Sequence, residues 1–292
     1  MKSLVSLRLA CCFVLIAFAG RDVVSVAAEV GPDRGTLVIA GGGDDIEPIL
    51  HRFVELAGGK QAPIVVIPTA SGAPSYDAFH RTARWFREQA GVESVTVLHT
   101  NDRVEADSEA FVEPIRNARA VWFTGGRQWR LADSYLGTRT QRELDALLAR
   151  GGVIGGSSAG ATIQGSYLAR GDTKINTIMM GDHQEGFGFL RNVAIDQHLL
   201  RRNRQFDLVE IVEAMPELLG IGIDENAAIL VRGDNFSVMG GYVAIYDHAR
   251  QLPNGGKFYL LGDGDRFDLA TREATREGHT REGFEKVEEN PW

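Results

Sequence analysis

The chain has 292 residues, 44% of them hydrophobic and 24% charged, which is enough apolar material for one sizeable core without a second domain. Its formal net charge is −8 with acids and bases interleaved, which argues against general affinity for nucleic acid or for an anionic membrane.

The first 28 residues differ from everything after them. Lys2 and Arg8 precede an apolar stretch from Leu9 to Ala19 and then small residues, the pattern of a signal peptide. The apolar stretch is too short for a membrane span. Cleavage fits after Ala19 or after Ala28, and the second is preferred because ordered patterning begins only near Gly35. The expectation is an exported protein, periplasmic or extracellular, with no membrane attachment after cleavage. The only cysteines, Cys11 and Cys12, lie inside this leader, so the mature chain is expected to carry no disulfide and no thiol ligand for a metal.

Past the leader, short β-rich runs alternate with longer amphipathic ones. TLVIAGGG (36–43), IVVIPTA (64–70), VTVLHT (95–100), AVWFTGG (120–126) and GVIGGSS (152–158) read as strands. Between them IEPILHRFVELA, YDAFHRTARWFREQA, SEAFVEPIRNA and QRELDALLAR carry apolar residues at helical spacing. That alternation predicts an α/β fold, a parallel sheet with helices on both faces.

GGSSAGA (155–161) follows the fifth strand. A tight glycine turn between strand and helix can hold a side chain up at the carboxyl edge of a sheet, in the frame G-x-S-x-G. Gly156 and Gly160 frame Ser158; centred on Ser157, the frame would need glycine where Ala159 stands. Ser158 is therefore the candidate nucleophile, the other reading being a turn whose serines cap the helix AGATIQGSYLA. Backbone N–H groups of Gly126, in VWFTGGRQ, and of Ala159 could form an oxyanion hole beside it.

A long polar loop, RGDTKINTIMMGDHQEGFGFL, comes next, and loops of that length are often functional. His198 then sits where a short strand meets a helix expected over 200–214, crowded by Asp196, Gln197, Arg202 and Arg204. It is the strongest of seven histidines as a general base, although a structural ion-pair cluster would look the same. Strands are expected over 221–231, 236–247 and 257–262. In the first, alternation puts Glu225 and Asp224 on opposite faces and does not choose which carboxylate meets His198. The domain is expected to span 29–270, followed by a charged tail over 271–292. No HExxH motif and no histidine pair at helical separation is present, so neither metal nor cofactor is expected.

Four motifs in order, FTGGRQ-x-RL at 123–131, GGSSAGA, GFGFL with DQH at 186–198, and GIGIDENAA at 220–228, resemble those of the cyanophycinase family of serine peptidases, family S51, related to aspartyl dipeptidases. The resemblance covers about residues 35–270. It implies a three-layer αβα sandwich like that of class I glutamine amidotransferases, flavodoxin-like, with a mostly parallel sheet. It implies Ser158 as nucleophile, His198 as base and Glu225 as its acid partner. It also implies a pocket made by Gln128, Asp196, Gln197, Arg202 and Arg204, a peptide or cyanophycin-like polymer as substrate, release of β-aspartyl-arginine, and a possible homodimer. Three positions depart from the family pattern. Arg127 replaces an acidic residue, Leu199 an aromatic one, and Asp207 an arginine nine residues after the histidine. On a helix, Arg202, Arg204 and Asp207 would share a pocket-facing side, where Asp207 would repel a substrate carboxylate. The alternatives are an α-aspartyl dipeptidase and a peptide-binding protein without catalysis.

Overall fold

A computed structural model of the protein describes residues 29–276. The leader expected over 1–28, most of the tail expected over 271–292, and His279 lie outside them. The chain runs β1 (Thr36–Ala40), α1 (Glu47–Ala57), β2 (Ile64–Ile67), α2 (Arg81–Glu88), β3 (Val95–Val97), α3 (Arg103–Ala106), α4 (Glu109–Asn117), β4 (Ala120–Phe123), α5 (Gln128–Tyr135), α6 (Arg139–Ala149) and β5 (Val153–Ser157). It continues as α7 (Ala159–Thr162), β6 (Gly165–Tyr167), β7 (Leu190–Gln197), α8 (Asp207–Ala214), β8 (Leu219–Ile223), β9 (Ala227–Arg232), β10 (Asn235–Gly240), β11 (Val243–Asp247), β12 (Tyr259–Leu261), β13 (Arg266–Asp268) and β14 (Glu273–Thr275).

These strands form two sheets, both mixed. The larger has the order β14-β13-β10-β9-β1-β5-β4-β2-β3, in which β1, β5, β4, β2 and β3 are parallel and the wing from β9 outward is antiparallel. The smaller is β12-β11-β8-β7-β6, with β6, β7 and β8 parallel. The α/β class and the parallel centre are as the alternating pattern predicts; the second sheet is not visible in that pattern.

Strand alternation divides the core. Val38 and Ala40 of β1 face α1 and α2 through Ile49, Phe53, Ala83 and Phe86, with Trp122 of β4 among them. Leu37 and Ile39 face the other way. On that face α4 to α6 cover the parallel strands through Val112, Ile115, Leu131 and Leu144, while the antiparallel wing packs on the smaller sheet, Ile229 and Val231 with Ile195, Ile221 and Val243. The far side of the smaller sheet is closed by α8, through Leu208, Ile211 and Val212 against Ala194, Ala244 and Tyr246.

Two expected strands are each divided. The run 221–231 breaks at Asp224–Asn226 into β8 of the smaller sheet and β9 of the larger, and 236–247 breaks into β10 and β11 in the same manner. A continuous apolar run is compatible with one long strand or with two that change sheets. The helix expected over 200–214 is a turn followed by α8 from Asp207, and the helix expected after Ser158 ends at Thr162. The larger sheet also takes in Glu273–Thr275, beyond the expected domain end at residue 270.

Trp122 is 1% exposed and meets Phe53 edge-on at 5.0 Å between ring centres. Replacing it with Ala is expected to cost about 3–5 kcal/mol of unfolding free energy, measured in denaturant. Little change would mean this layer does not hold the sheet.

Candidate active site

The exit of β1 organises the site. Three successive carbonyls there accept hydrogen bonds from three separate segments: Ala40 from Ser158 N–H at 3.0 Å, Gly41 from His198 N–H at 3.2 Å, and Gly42 from Asn226 N–H at 2.8 Å. The residues these segments carry are Ser158 at the end of β5 in the larger sheet, His198 at the end of β7 in the smaller, and Glu225 in the turn where the chain passes from β8 to β9. The site therefore stands on the seam between the two sheets.

Ser158 takes φ 56° and ψ −114°, a region that side-chain-bearing residues rarely adopt. The strain turns the chain from β5 directly into α7. A Cβ on Gly156 would lie 2.3 Å from the Gly160 carbonyl oxygen, and one on Gly160 would lie 2.4 Å from that of Phe123. Both frame positions are therefore closed to larger residues, the steric reason for G-x-S-x-G here. Ser157 remains within β5, paired with Ala40.

His198 likewise has a positive φ, 56°. Its Nε2 lies 2.9 Å from Ser158 Oγ and its Nδ1 2.6 Å from Glu225 Oε1. A carboxylate accepts, so Nδ1–H donates to Glu225 and Nε2 offers its lone pair to the serine hydroxyl. Burial lowers the His198 pKa below its ordinary value; Glu225 opposes this, while the positive charges of Arg202 and Arg204 reinforce it. Asp224, the other carboxylate of the IDE run, accepts from the backbone N–H groups of Leu200 (2.9 Å) and Arg201 (3.1 Å) and so fixes the turn after His198. Neither residue lies in a strand, which is why alternation could not choose between them.

The glycines of AGGG, read in sequence only as the end of a strand, are the part of the site that motif reasoning missed. Gly42 has φ 107°, and a Cβ there would come within 2.5 Å of His198 Cε1. Gly43 has φ 104°, and a Cβ would meet Asn226 Oδ1 at 2.3 Å and Glu225 Cβ at 3.0 Å. The imidazole of His198 and the Cβ of Glu225 rest against bare backbone. A glycine triplet leaving a central strand is the signal that could have found this.

Beside the serine, Gly125 is the residue whose missing Cβ faces it: a Cβ there would lie 3.7 Å from Ser158 Oγ. At Gly126 (φ 146°) it would strike the Ala70 carbonyl oxygen at 2.1 Å. Ala159 opens α7, where the first N–H groups of a helix have no intrahelical acceptor.

The residues expected to recognise substrate make hydrogen bonds within the chain. Asp196 is 0% exposed, and Arg170, itself 2% exposed, grips its carboxylate through Nε at 2.8 Å and Nη2 at 2.9 Å. The same Nη2 also donates to Asp207. The repulsion expected of Asp207 is thus corrected: its charge is met by Arg170, and Arg202, Arg204 and Asp207 do not share a helical face because α8 begins only at Asp207. Gln197 is buried and accepts from Arg204 through its backbone carbonyl and Oε1, both at 3.1 Å. Gln128 is buried and donates to the carbonyls of Ala169 (2.7 Å) and Arg170 (3.0 Å), anchoring the long loop. Arg127 reaches the same loop at the Asp172 carbonyl. Leu199 is buried against Gly222. Of this group only Arg202 is exposed, and it forms no ion pair among the described residues. Among those residues, too, no group of His, Cys, Asp and Glu side chains comes together that could hold a metal ion, and no helix is long and apolar enough to cross a membrane.

Comparison with known proteins identifies the family. The model of peptidase family S51 matches residues 37–239. The cyanophycinase of Geminocystis herdmanii is 31% identical over 262 residues, covering 82% of this chain and 96% of that protein. The cyanophycinase of a Nostoc species is 32% identical over 260 residues, covering 81% and 86%. Among solved structures, a peptidase from an acI-B1 Actinobacterium is similar with a TM-score of 0.64 and 25% identity, covering 80% of this chain and 97% of that one. A putative peptidase E protein from Listeria monocytogenes EGD-e, at a TM-score of 0.51 and 20% identity over 70% of this chain and 97% of its own, shares the fold.

Two outcomes follow from these contacts. Gly42→Ala should displace the imidazole and lower kcat/KM by about 10²-fold, since a shift near 1 Å at a reacting group costs that much, and, because φ 107° is strained for alanine, it should also lower the unfolding midpoint. Arg170→Met should leave the buried Asp196 with no hydrogen-bonded cation, only Arg204 Nη1 at 3.9 Å, and cost about 3–5 kcal/mol in denaturant unfolding, against about 1 kcal/mol or less for Asp207→Asn at the half-exposed end of the network. Equal losses would mean that Asp196 is not the buried anchor.

Proposed function

The chain belongs to peptidase family S51 and is a serine-type peptidase, and from this we propose that it hydrolyses aspartate-derived peptide or isopeptide bonds through Ser158, His198 and Glu225. The observation that carries the reading is the unbroken run of hydrogen bonds from Ser158 Oγ through the imidazole to Glu225.

His198 Nε2 takes the hydroxyl proton as Oγ attacks the carbonyl carbon. Charge gathers on the carbonyl oxygen, which the N–H groups of Ala159 and the Gly125–Gly126 turn are proposed to receive. The imidazolium, stabilised by Glu225, then gives its proton to the departing nitrogen, leaving an ester on Ser158. Water, deprotonated by the same Nε2, attacks that ester and releases the acid, returning the proton to Oγ. Export, inferred from Lys2, Arg8 and the apolar stretch Leu9–Ala19, would place this reaction outside the cytoplasm.

That the Geminocystis and Nostoc relatives are cyanophycinases supports a cyanophycin-type substrate, for which the motif resemblance implies release of β-aspartyl-arginine. A second reading, hydrolysis of α-aspartyl dipeptides, is favoured by the internal engagement of Gln128, Asp196 and Gln197, which leaves these groups less able to recognise a polymer.

Purified protein offered cyanophycin, β-aspartyl-arginine and α-aspartyl dipeptides, with products identified by mass, separates the two. Ser158→Ala should abolish turnover, by at least about 10⁴-fold, and Ser157→Ala should retain much of it. The reverse pattern would remove Ser158 as nucleophile. The pH profile gives an independent check. His198 must be neutral to act as base, and its pKa is held below the ordinary 6.5. Activity should therefore persist as pH falls through 6.5 and be lost only as the proton binds below that value. Arg202→Ala removes a charge that disfavours the imidazolium, so the acidic limb should move to higher pH. A limb unmoved by Arg202→Ala would mean this charge does not reach the base.

A further inference from the structure

A cavity of about 300 Å³ opens at the carboxyl ends of β2, β3 and β4. Its walls include Thr69 and Gly72 after β2, His99 and Asn101 after β3, and Trp129 and Arg130 in the first turn of α5. The place is set by topology. After β2 the chain turns to α2 on one face of the sheet, and after the neighbouring β4 it turns to α5 and α6 on the opposite face. Adjacent parallel strands whose connections diverge leave a crevice between their ends, and open α/β sheets bind ligands in such crevices.

Only a thin strip of backbone separates this cavity from Ser158. The Ala70 carbonyl accepts from Arg127 N–H at 2.8 Å and from Arg130 Nη1 at 3.1 Å, and Ser71 Oγ donates to the Gly125 carbonyl at 3.0 Å. On the other side of that strip, a Cβ on Gly125 would touch Ser158 Cβ at 3.2 Å. A substrate residue one position removed from the attacked carbonyl would reach across it.

The polar groups in the crevice are not balanced. Arg130 forms no ion pair among the described residues, and its guanidinium lies 5.2 Å from the centre of the Trp129 ring. Trp129 Nε1 is buried with no acceptor among those residues. Asp133 also borders the cavity, but its Oδ1 is engaged by His183 Nε2 at 2.7 Å. His99 is tied through Nδ1 to Thr69 Oγ1 at 2.8 Å, and its burial favours the neutral form. His99 Nε2 is also buried with no partner among those residues, its role set by the tautomer, whereas Trp129 Nε1 and the Arg130 guanidinium can only donate and form a cationic donor pair on a flat aromatic wall, a combination suited to a carboxylate.

We propose that this cavity is a substrate subsite for a carboxylate of the peptide, with Arg130 donating to it and Trp129 forming its wall. The proposal rests on the reading of Ser158 as a peptidase nucleophile and adds to it the charge of the residue next to the cleaved bond. Gly72 supports the seat: it has φ 82°, and a Cβ there would lie 2.0 Å from Arg130 Nη1, so the guanidinium occupies space that any other residue would take.

The test compares a β-aspartyl dipeptide bearing a free terminal carboxylate with its carboxamide. The unmodified protein should favour the acid at least tenfold in kcat/KM, the difference lying in KM. Arg130→Met should reduce that preference to within twofold, and Arg130→Lys should keep part of it. Should Arg130→Met fail to fold, Gly72→Ala displaces the guanidinium without removing its charge and should erode the same preference. No preference in the unmodified protein, or a preference that survives Arg130→Met, overturns the proposal. If neither dipeptide is cleaved in a Ser158-dependent manner, it is the β-aspartyl substrate reading that fails, and the cavity is then judged by calorimetry with succinate and succinamide on Ser158→Ala. Succinate binding that Arg130→Met abolishes upholds the site, and absence of succinate binding overturns it.

Discussion

The hydrogen bonds accepted by Ala40, Gly41 and Gly42 are the constraint on which the rest of the site depends. Each carbonyl belongs to the same short exit from β1, and each holds one of three chain segments that are far apart in sequence and are drawn from two sheets. A central strand buried on both faces is the stiffest available platform, because its backbone is paired on either side by β5 and β9. Registering three side chains from one such platform avoids the accumulation of error that three separate loops would bring. The glycines make that approach possible by removing the side chains that would otherwise stand between the strand exit and the imidazole.

Around this platform charge is sorted by burial. Behind His198, Arg170 joins Asp196 and Asp207 in a network whose inner pair is fully desolvated. Such a pair adds little net stability over apolar packing, yet it cannot lose one member cheaply, which makes it a rigid support for the end of β7. Toward solvent, Arg202 is left to act on the histidine through space. Across the strip of Ala70 and Gly125, Arg130 stands without a carboxylate. Arg170, buried with its partners, thus shapes the fold, and Arg130, without an ion pair among the described residues, is where the proposed substrate carboxylate would be placed.

Local signals in the sequence carried the features that depend on neighbouring residues. Alternating runs of β-branched and amphipathic segments located the parallel centre of the large sheet. The glycine spacing around Ser158 identified the elbow, because the turn's steric demand falls on the two flanking positions. Beyond these local signals, the resemblance to the peptidase family implied Ser158, His198 and Glu225 as one set, and the three do meet. The strands β6 and β14, three residues each, left no clear period, being too brief for one.

What only the tertiary structure decided concerns partners distant in the chain. Whether 221–231 was one strand or two depended on where β1 and β7 would pair with it, and the break at Asp224–Asn226 is what carries Glu225 to His198 while Asp224 turns to the backbone. The residue that neutralises Asp196 and Asp207 is Arg170, which lies in an irregular loop with no periodicity to announce it. A sequence records which side chains are available and what each prefers locally. Which charges are buried together, and which one is left over, follows from the three-dimensional packing of segments that no local pattern relates.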